Sequence, residues 1–271
     1  MHPQNIYLTI DANSSMHGLV EETLKNYIRD EKLRKVFGKV FDESTILAVH
    51  ALAKKGIFNV LEFPISSGKE AVVFRAIDAS KNYKAIKIYK IETSGFRHMM
   101  DYLKGDPRFK NIKNEKRNIV HAWTKKEFAN LRLATSVGAR VPMPYAYYEN
   151  VLAMEFIGKE GIPSNTLRET KMDDYSWAYE ALVENIAKLL YKAELVFADL
   201  SEYNILVNAE KENAPEIVLI DIGQAVLTSH PKAEEFFMRD MRNVANYFTR
   251  IGVKKSADEL VEDVKAIKDK I

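Results

Sequence analysis

The sequence predicts an α+β chain, with a lobe of short antiparallel strands, a mainly helical lobe after it, and extra helices ahead of both. Three observations carry this. The runs "FNVLEF", "AVVFRAI" and "YKAIKIYKI" are short, β-branched or aromatic, and separated by turn residues. From about residue 174 onward, longer segments with helical apolar spacing dominate. Only two short strands, "NILVN" and "EIVLID", interrupt those helices.

The elements follow in order. The N-terminal "MHPQNIYLTIDANSS" holds an apolar run too short and too weakly basic for a signal peptide. Leu33, Val36, Phe37, Val40 and Phe41 lie on one helix face, and a second helix is expected from Ser44 to Lys55, stopped by Gly56 at C′. Residues 1–56 thus form a helical extension expected to pack on the neighbouring strand-rich lobe. The three strand runs come next, with "ASKN" turning the second hairpin. Residues 91–118 show weak periodicity and are too long for an ordinary connection. A helix over 118–137, closed by Gly138, leads to a strand pair, "YAYYEN" and "VLAMEF", turning at Asn150. The strand-rich lobe is expected over 57–155 and the helical lobe over 156–271, joined near "MEFIGKEG", with helices at 174–193, 232–250 and 255–270.

Composition narrows the function classes. The 271 residues are 46% hydrophobic and 29% charged, an ordinary globular balance. A net charge of +2 gives no overall argument for a nucleic-acid binder. The absence of cysteine excludes disulfides, thiolate metal sites and cysteine nucleophiles. No apolar run approaches the roughly eighteen residues of a membrane span, so a soluble, cytoplasmic protein is expected.

The chemistry concentrates in "LVFADLSEYNILVNAEKENAPEIVLIDIGQ". A hairpin of "NILVN" and "EIVLID" brings Asn204 and Asp221 to the same open end, with Asp199 in the loop leading in. Mg²⁺ prefers oxygen ligands and keeps several waters, so one carboxylate and one amide oxygen are a reasonable protein contribution. Asp199 is then free to orient an attacking hydroxyl or water. Taken singly, these residues read equally well as turn and helix caps. The first lobe adds "ISSGKEAVVF", which places Ser66, Ser67, Gly68 and Lys69 at a hairpin tip able to surround phosphate oxygens. Lys87 shares a strand face with Ala85 and Tyr89 and needs a partner, either Glu127 on the following helix or nucleotide phosphates. Hairpin-tip loop, strand lysine, helix glutamate, connector, D-x-x-x-x-N and Asp-x-Gly, in that order, are the parts of a protein kinase.

The segments "SSGKEAVVF", "IYKIETSGFRHMMDYLKGDPRF", "MEFIG", "ADLSEYNIL" and "IDIGQ" closely resemble the RIO family of atypical protein kinases. The "KIETS" and "GDPRF" segments resemble its Rio-one branch, and the likeness covers about residues 35–250. It implies a two-lobed kinase-like fold, use of ATP and Mg²⁺ (with Mn²⁺ as an alternative ion), autophosphorylation on serine, and action on the small ribosomal subunit precursor and its RNA. Carried over, Asp199 is the catalytic aspartate, while Asn204 and Asp221 hold metal. Lys87 contacts phosphates and pairs with Glu127, the backbone at Glu155 and Ile157 holds adenine, and Ser67 and Lys69 belong to the phosphate loop. Asp221 also accepts a phosphoryl group transiently. Two positions depart from the family: Phe197 stands where it usually has His, and Val72 where it commonly has Asn. After "DIGQ" a helix follows within about ten residues and no A-P-E occurs, so an activation segment is missing.

Four functions compete. They are a serine kinase, an ATPase switch on a pre-ribosomal particle, a small-molecule kinase of the aminoglycoside or choline type, and a catalytically dead scaffold. "GDPRF" and "KIETS" count against the third, and the retained Lys87, Asp199, Asn204 and Asp221 against the fourth. Two further expectations concern residues 91–126. The segment 91–118 is expected to be mobile without nucleotide and to carry an autophosphorylated Ser94. Residues 104–126 hold eight basic side chains (Lys104, Arg108, Lys110, Lys113, Lys116, Arg117, Lys125, Lys126) against Asp106 and Glu115, a local excess expected to contact RNA.

Overall fold

The structure is a computed structural model and describes residues 16–28, 31, 37, 41–92, 94–109, 112, 114–208 and 215–271. Among the described residues, α1 (Met16–Tyr27) and α2 (Glu43–Lys54) precede the sheet. Asp42 caps α2 by accepting from Thr45 N at 3.0 Å and Thr45 Oγ1 at 2.6 Å, and Gly56 ends the turn after it with φ of 76°. Of the apolar stripe expected ahead of α2, Phe37 and Phe41 are buried against Phe74, while Leu33, Val36 and Val40 lie outside the described residues.

The first lobe is a five-stranded antiparallel sheet in the order β1-β2-β3-β5-β4. Its strands are β1 (Val60–Ser67), β2 (Ala71–Ile77), β3 (Tyr83–Tyr89), β4 (Pro144–Tyr148) and β5 (Val151–Glu155). One face of the sheet packs with Val49, Leu52 and Phe58 into a single apolar cluster that Val20 and Ile28 also join. Between β3 and β4 run α3 (Phe96–Leu103) and the long α4 (Lys116–Ser136). Helix α3 is absent from the sequence-based expectation. Within a segment of weak overall periodicity, Phe96, Met99, Met100 and Leu103 carry a short helical stripe, and Met99, Tyr102 and Leu103 are buried against Trp123 and Phe236. The eight residues of Phe96–Leu103 are too few to stand out in a sequence window.

The second lobe holds α5 (Ser176–Ala187), which runs on into a π-turn at Lys188–Lys192, then α6 (Ala233–Arg250) and α7 (Ala257–Ala266). Short pairs β6 (Gly158–Lys159) with β7 (Ile162–Pro163), and β8 (Asn165–Thr166) with β10 (Ile205–Asn208), lie ahead of and beside the expected hairpin. That hairpin pairs β10 with β11 (Glu216–Leu219), Ile205 opposite Leu219, and Ile220 N donates to Asn204 O at 2.9 Å. Most of its turn lies outside the described residues. Strand β9 (Leu195–Val196) pairs with β12 (Val226–Leu227), so the chain returns to the lobe immediately after "DIGQ" and enters α6 at Ala233. Among the described residues no helix is long and apolar enough to cross a membrane.

The lobes are tied outside the hydrophobic clusters. Arg140 donates to Glu155 at 2.8 and 2.9 Å and to Glu216 at 2.9 and 3.0 Å, joining the connector to the hairpin strand β11. At the other edge Arg117 of α4 donates to Ser44 and, at 2.6 Å, to Asp42, so the cap of α2 also holds the start of α4. Burial opposes the Asp42 charge, but the Thr45 and Arg117 hydrogen bonds outweigh it and lower its carboxyl to about 2. A depressed folded pKa means the cap's contribution is present above about pH 4 and is lost as pH falls toward 2. Asp42→Ala is expected to cost about 0.5–2 kcal/mol in urea unfolding at neutral pH and to converge with wild type in strong acid.

Candidate active site

Three elements meet at one buried lysine. The Lys87 Nζ, from β3, donates to Glu127 Oε1 of α4 and to Asp221 Oδ1, each at 2.7 Å. Its neighbour on the same strand face, Tyr89, donates its hydroxyl to the other Glu127 oxygen. Lys87, Tyr89 and Glu127 are all buried, whereas the Asp221 side chain is 56% exposed to the cleft. Burial works against the ammonium, yet Asp221 and Glu127 together hold the Lys87 pKa well above its usual value. Burial pushes the Glu127 carboxyl up, and Lys87 opposes it.

Asp221 adopts a left-handed backbone, φ 61° and ψ 48°, at the point where β11 gives way to a 3₁₀ turn, Ile222–Gln224. Ala198, just before Asp199, is also left-handed at φ 67°. Strained residues of this kind cost on the order of 1–3 kcal/mol and persist where their surroundings over-determine them. For Ala198 those surroundings are visible. Buried Asp240 of α6 accepts from Ala198 N at 2.7 Å and Leu200 N at 3.0 Å, the amides either side of Asp199, and Arg239 donates to Ala198 O. Phe197 is buried in the helical lobe's core with Leu195 and Leu200. The loop is therefore organised by Asp240 and Arg239 from below and by apolar packing at Phe197.

Asp199 receives Gln224 Nε2 on Oδ2 at 2.8 Å, and its carbonyl receives Asn204 Nδ2 at 2.8 Å. The second bond turns the Asn204 amide oxygen away from Asp199. Burial raises the Asp199 pKa, and the nearby Asp221 charge adds to it. That shift favours a group that takes a proton. Exposed Asp221 and the outward Asn204 oxygen fit a hard cation that completes its shell with phosphate and water oxygens. No closed cage of three or more His, Cys, Asp or Glu side chains exists among the described residues.

Ser67 and Lys69, expected in a phosphate loop, are exposed at the β1–β2 tip, with Ser67 opposite Val72. Lys90 Nζ caps the Gly68 carbonyl at 2.8 Å, and Glu70 lies against Gly95, ahead of α3. Burial raises the Glu70 pKa, and Asp221 and Asp199 are close enough to push the same way. At the connector, Glu155 N donates to Met143 O at 2.8 Å, and Ile157 O accepts from Ser164 N at 3.0 Å.

Sequence reasoning pairs Lys87 with Glu127 and puts Asn204 and Asp221 at one end of the hairpin. It misses Asp221 as the second partner of Lys87, Tyr89 as a partner of Glu127, and Gln224, Arg239 and Asp240. Tyr89 and Gln224 are within its reach, lying beside Lys87 on its strand face and inside "DIGQ". The basic cluster over 104–126 needs correction. Lys126 is fully buried, Arg108 is bound to Asp106 at 2.6 Å, Lys116 to Glu92 and Arg117 to Asp42. Lys110 and Lys113 lie outside the described residues. The charge count overstates the surface because a lysine in sequence says nothing about which helix face it occupies.

A model of the RIO domain matches residues 72–260. The RIO-type serine/threonine-protein kinase Rio1 of Haloferax volcanii is 45% identical over 237 residues, covering 88% of this chain and 80% of the relative. That of Methanocaldococcus jannaschii is 41% identical over 217 residues, covering 80% and 72%. Human serine/threonine-protein kinase RIO3 is 32% identical over 258 residues, and the match spans 90% of this chain but 49% of the human protein. The crystal structure of the Rio2 kinase–ADP/Mg²⁺–phosphoaspartate complex from Chaetomium thermophilum shares the fold, with a TM-score of 0.65 at 23% identity over 82% of this chain and 66% of that one.

Burial raises the Asp240 carboxyl to about 7, against the opposing pull of its two backbone donors. The folded state then binds this proton more tightly than the unfolded chain, so the Asp240 contribution to stability falls as pH rises from about 4 to 7. Asp240→Asn is expected to flatten that slope in thermal unfolding. It leaves one loop amide facing an NH₂ group, at about 1–3 kcal/mol.

Proposed function

The chain belongs to the RIO family and is an atypical serine/threonine-protein kinase, and from that premise we propose how its residues bind ATP with Mg²⁺ and transfer the γ-phosphoryl group. The observation that carries the reading is the buried ammonium of Lys87 shared by Glu127 and Asp221. Lys87 lies where it can neutralise nucleotide phosphate oxygens while Glu127 holds its stem in place. Ser67 and Lys69 close over the phosphates from the hairpin tip. Adenine is held at the connector by the Glu155 carbonyl and the Ile157 N–H, the other two backbone groups there being engaged by Met143 and Ser164. Asn204 and Asp221 hold the metal, which when bound offsets the charge gathering on the phosphate oxygens.

In the transfer, the oxygen of a serine hydroxyl attacks the γ-phosphorus and the bond to the β–γ bridging oxygen breaks, so ADP leaves with that electron pair. Asp199 orients the hydroxyl and takes its proton, and Gln224 fixes the carboxylate through Oδ2. Ser94 is the acceptor proposed within the chain. It is exposed, and its neighbour Gly95 lies against Glu70, whose carboxyl senses both Asp199 and Asp221.

A second reading has its own support. No activation segment separates Gln224 from α6, so a docking platform for a protein substrate is absent from the usual place. Water can then replace serine. The Asp221 carboxylate attacks the γ-phosphorus to give an aspartyl phosphate and ADP, and water, losing its proton to Asp199, cleaves the new P–O bond. The Chaetomium Rio2 structure contains a phosphoaspartate. Action on a small ribosomal subunit precursor in the cytoplasm rests on the family resemblance alone.

Three outcomes test these roles. Asp221→Ala is expected to weaken Mg²⁺–ATP binding and abolish turnover together. Asp199→Ala should keep nucleotide affinity near wild type while cutting the rate about 10²–10⁴-fold, and wild-type turnover in that variant contradicts the assignment. After incubation with ATP, phosphopeptide mapping should place phosphate on Ser94; phosphate confined to other segments removes Ser94 from the scheme.

A further inference from the structure

One face of α4 is spent on something other than the lysine–glutamate pair. Trp123, Lys126 and Asn130, spaced i, i+3 and i+7, all lie against the four residues that follow Asp221. Lys126 Nζ donates to Gly223 O at 2.8 Å and to Ala225 O. Asn130 Nδ2 donates to Ile222 O at 3.0 Å and Ala225 O at 2.9 Å. The Gly223 Cα faces the Trp123 indole so closely that an added Cβ would sit 3.2 Å from Nε1. Three carbonyls within four residues are thus satisfied by side chains of a single helix.

The Asn130 amide is itself held. Its Oδ1 accepts from Arg108 Nη2 at 2.8 Å, and Arg108 is bidentate on buried Asp106 at 2.6–3.2 Å. Both charged residues belong to "GDPRF". The first residue of that motif has a reason too, because a Cβ on Gly105 would overlap the buried His230 imidazole. This network orients Asn130 so that its NH₂ group, and not its oxygen, meets the carbonyls.

We infer that Lys126 and Asn130, oriented by the Asp106–Arg108 pair, are positioning residues for phosphoryl transfer that fix the Asp221–Gln224 turn against α4. The inference rests on the kinase reading above and deepens it. Glu127 sits beside Lys126 in sequence and binds Lys87, so one rigid helix sets both ends of the Lys87–Asp221 contact. The same turn carries Gln224, the side chain that holds Asp199. In a chain without an activation segment, these carbonyl clamps keep the metal-binding turn in register. Lys126 suits the task even though burial lowers its pKa to about 7, since a neutral amine still has two N–H donors for two carbonyls.

The test compares Lys126→Met and Asn130→Asp with wild type and with Lys125→Met, a change at the exposed neighbouring position. Hydrogen exchange of the metal-free proteins is read over residues 220–226, and ADP affinity is measured by calorimetry with and without Mg²⁺. The expected result is faster exchange in that turn in both clamp variants, metal-free ADP affinity unchanged, and loss of about 10- to 100-fold from the Mg²⁺-dependent gain in affinity and from kcat. Lys125→Met should match wild type. Clamp variants that melt earlier yet keep wild-type exchange in the turn, Mg²⁺ gain and kcat overturn the inference, leaving these residues a purely structural role. If Lys126→Met does not fold, Asn130→Asp decides alone. A wild-type protein that binds Mg²⁺–ADP but transfers no phosphate sinks the kinase reading while the exchange and affinity data still judge the clamp.

Discussion

A charge buried between two lobes dictates much of this architecture. An ammonium taken out of water is costly unless it is paired and hydrogen-bonded, and Lys87 is buried. Its two carboxylate partners come from different elements, Glu127 from α4 and Asp221 from the turn after β11. Satisfying that charge therefore fixes a strand of the first lobe, the long helix and the hairpin of the second lobe in one geometry. Because Asp221 stays open to the cleft, the arrangement also leaves negative charge exposed where a metal-bound phosphate chain can enter.

The supporting contacts divide the labour. Arg140 bridges Glu155 and Glu216, so the connector and β11 move together. Asp240 holds the amides on either side of Asp199, which places that carboxylate, while Phe197 packs into the core. The start of α4 is fastened to the cap of α2 through Arg117. In kinases that carry an activation segment, that segment helps govern these positions; here the helix and turn are held by direct side-chain contacts.

Much of this is legible in the sequence. The strands, the long helix and the ordered motifs are readable because strands and helices announce themselves by period. Lys87 is recognisable because a lysine among buried strand residues demands a partner. Helix α3 is lost because eight residues give too short a window and Gly95 and Gly105 bound it. Asp240 and Arg239 carry no local signal, since they act on a loop 40 to 42 positions away in the chain. Lys126 reads as surface charge for the converse reason. Its neighbour Lys125 is exposed, and a one-residue step around a helix, roughly 100°, separates solvent from core.

The most direct test of the central claim removes the buried pair together. Lys87→Met combined with Glu127→Gln deletes one positive and one negative charge, so no lone buried charge remains between β3 and α4. The double variant is expected to unfold cooperatively yet to transfer no labelled γ-phosphate from Mg²⁺–ATP to protein or water. Transfer at the wild-type rate in the folded double variant would contradict the role given to Lys87.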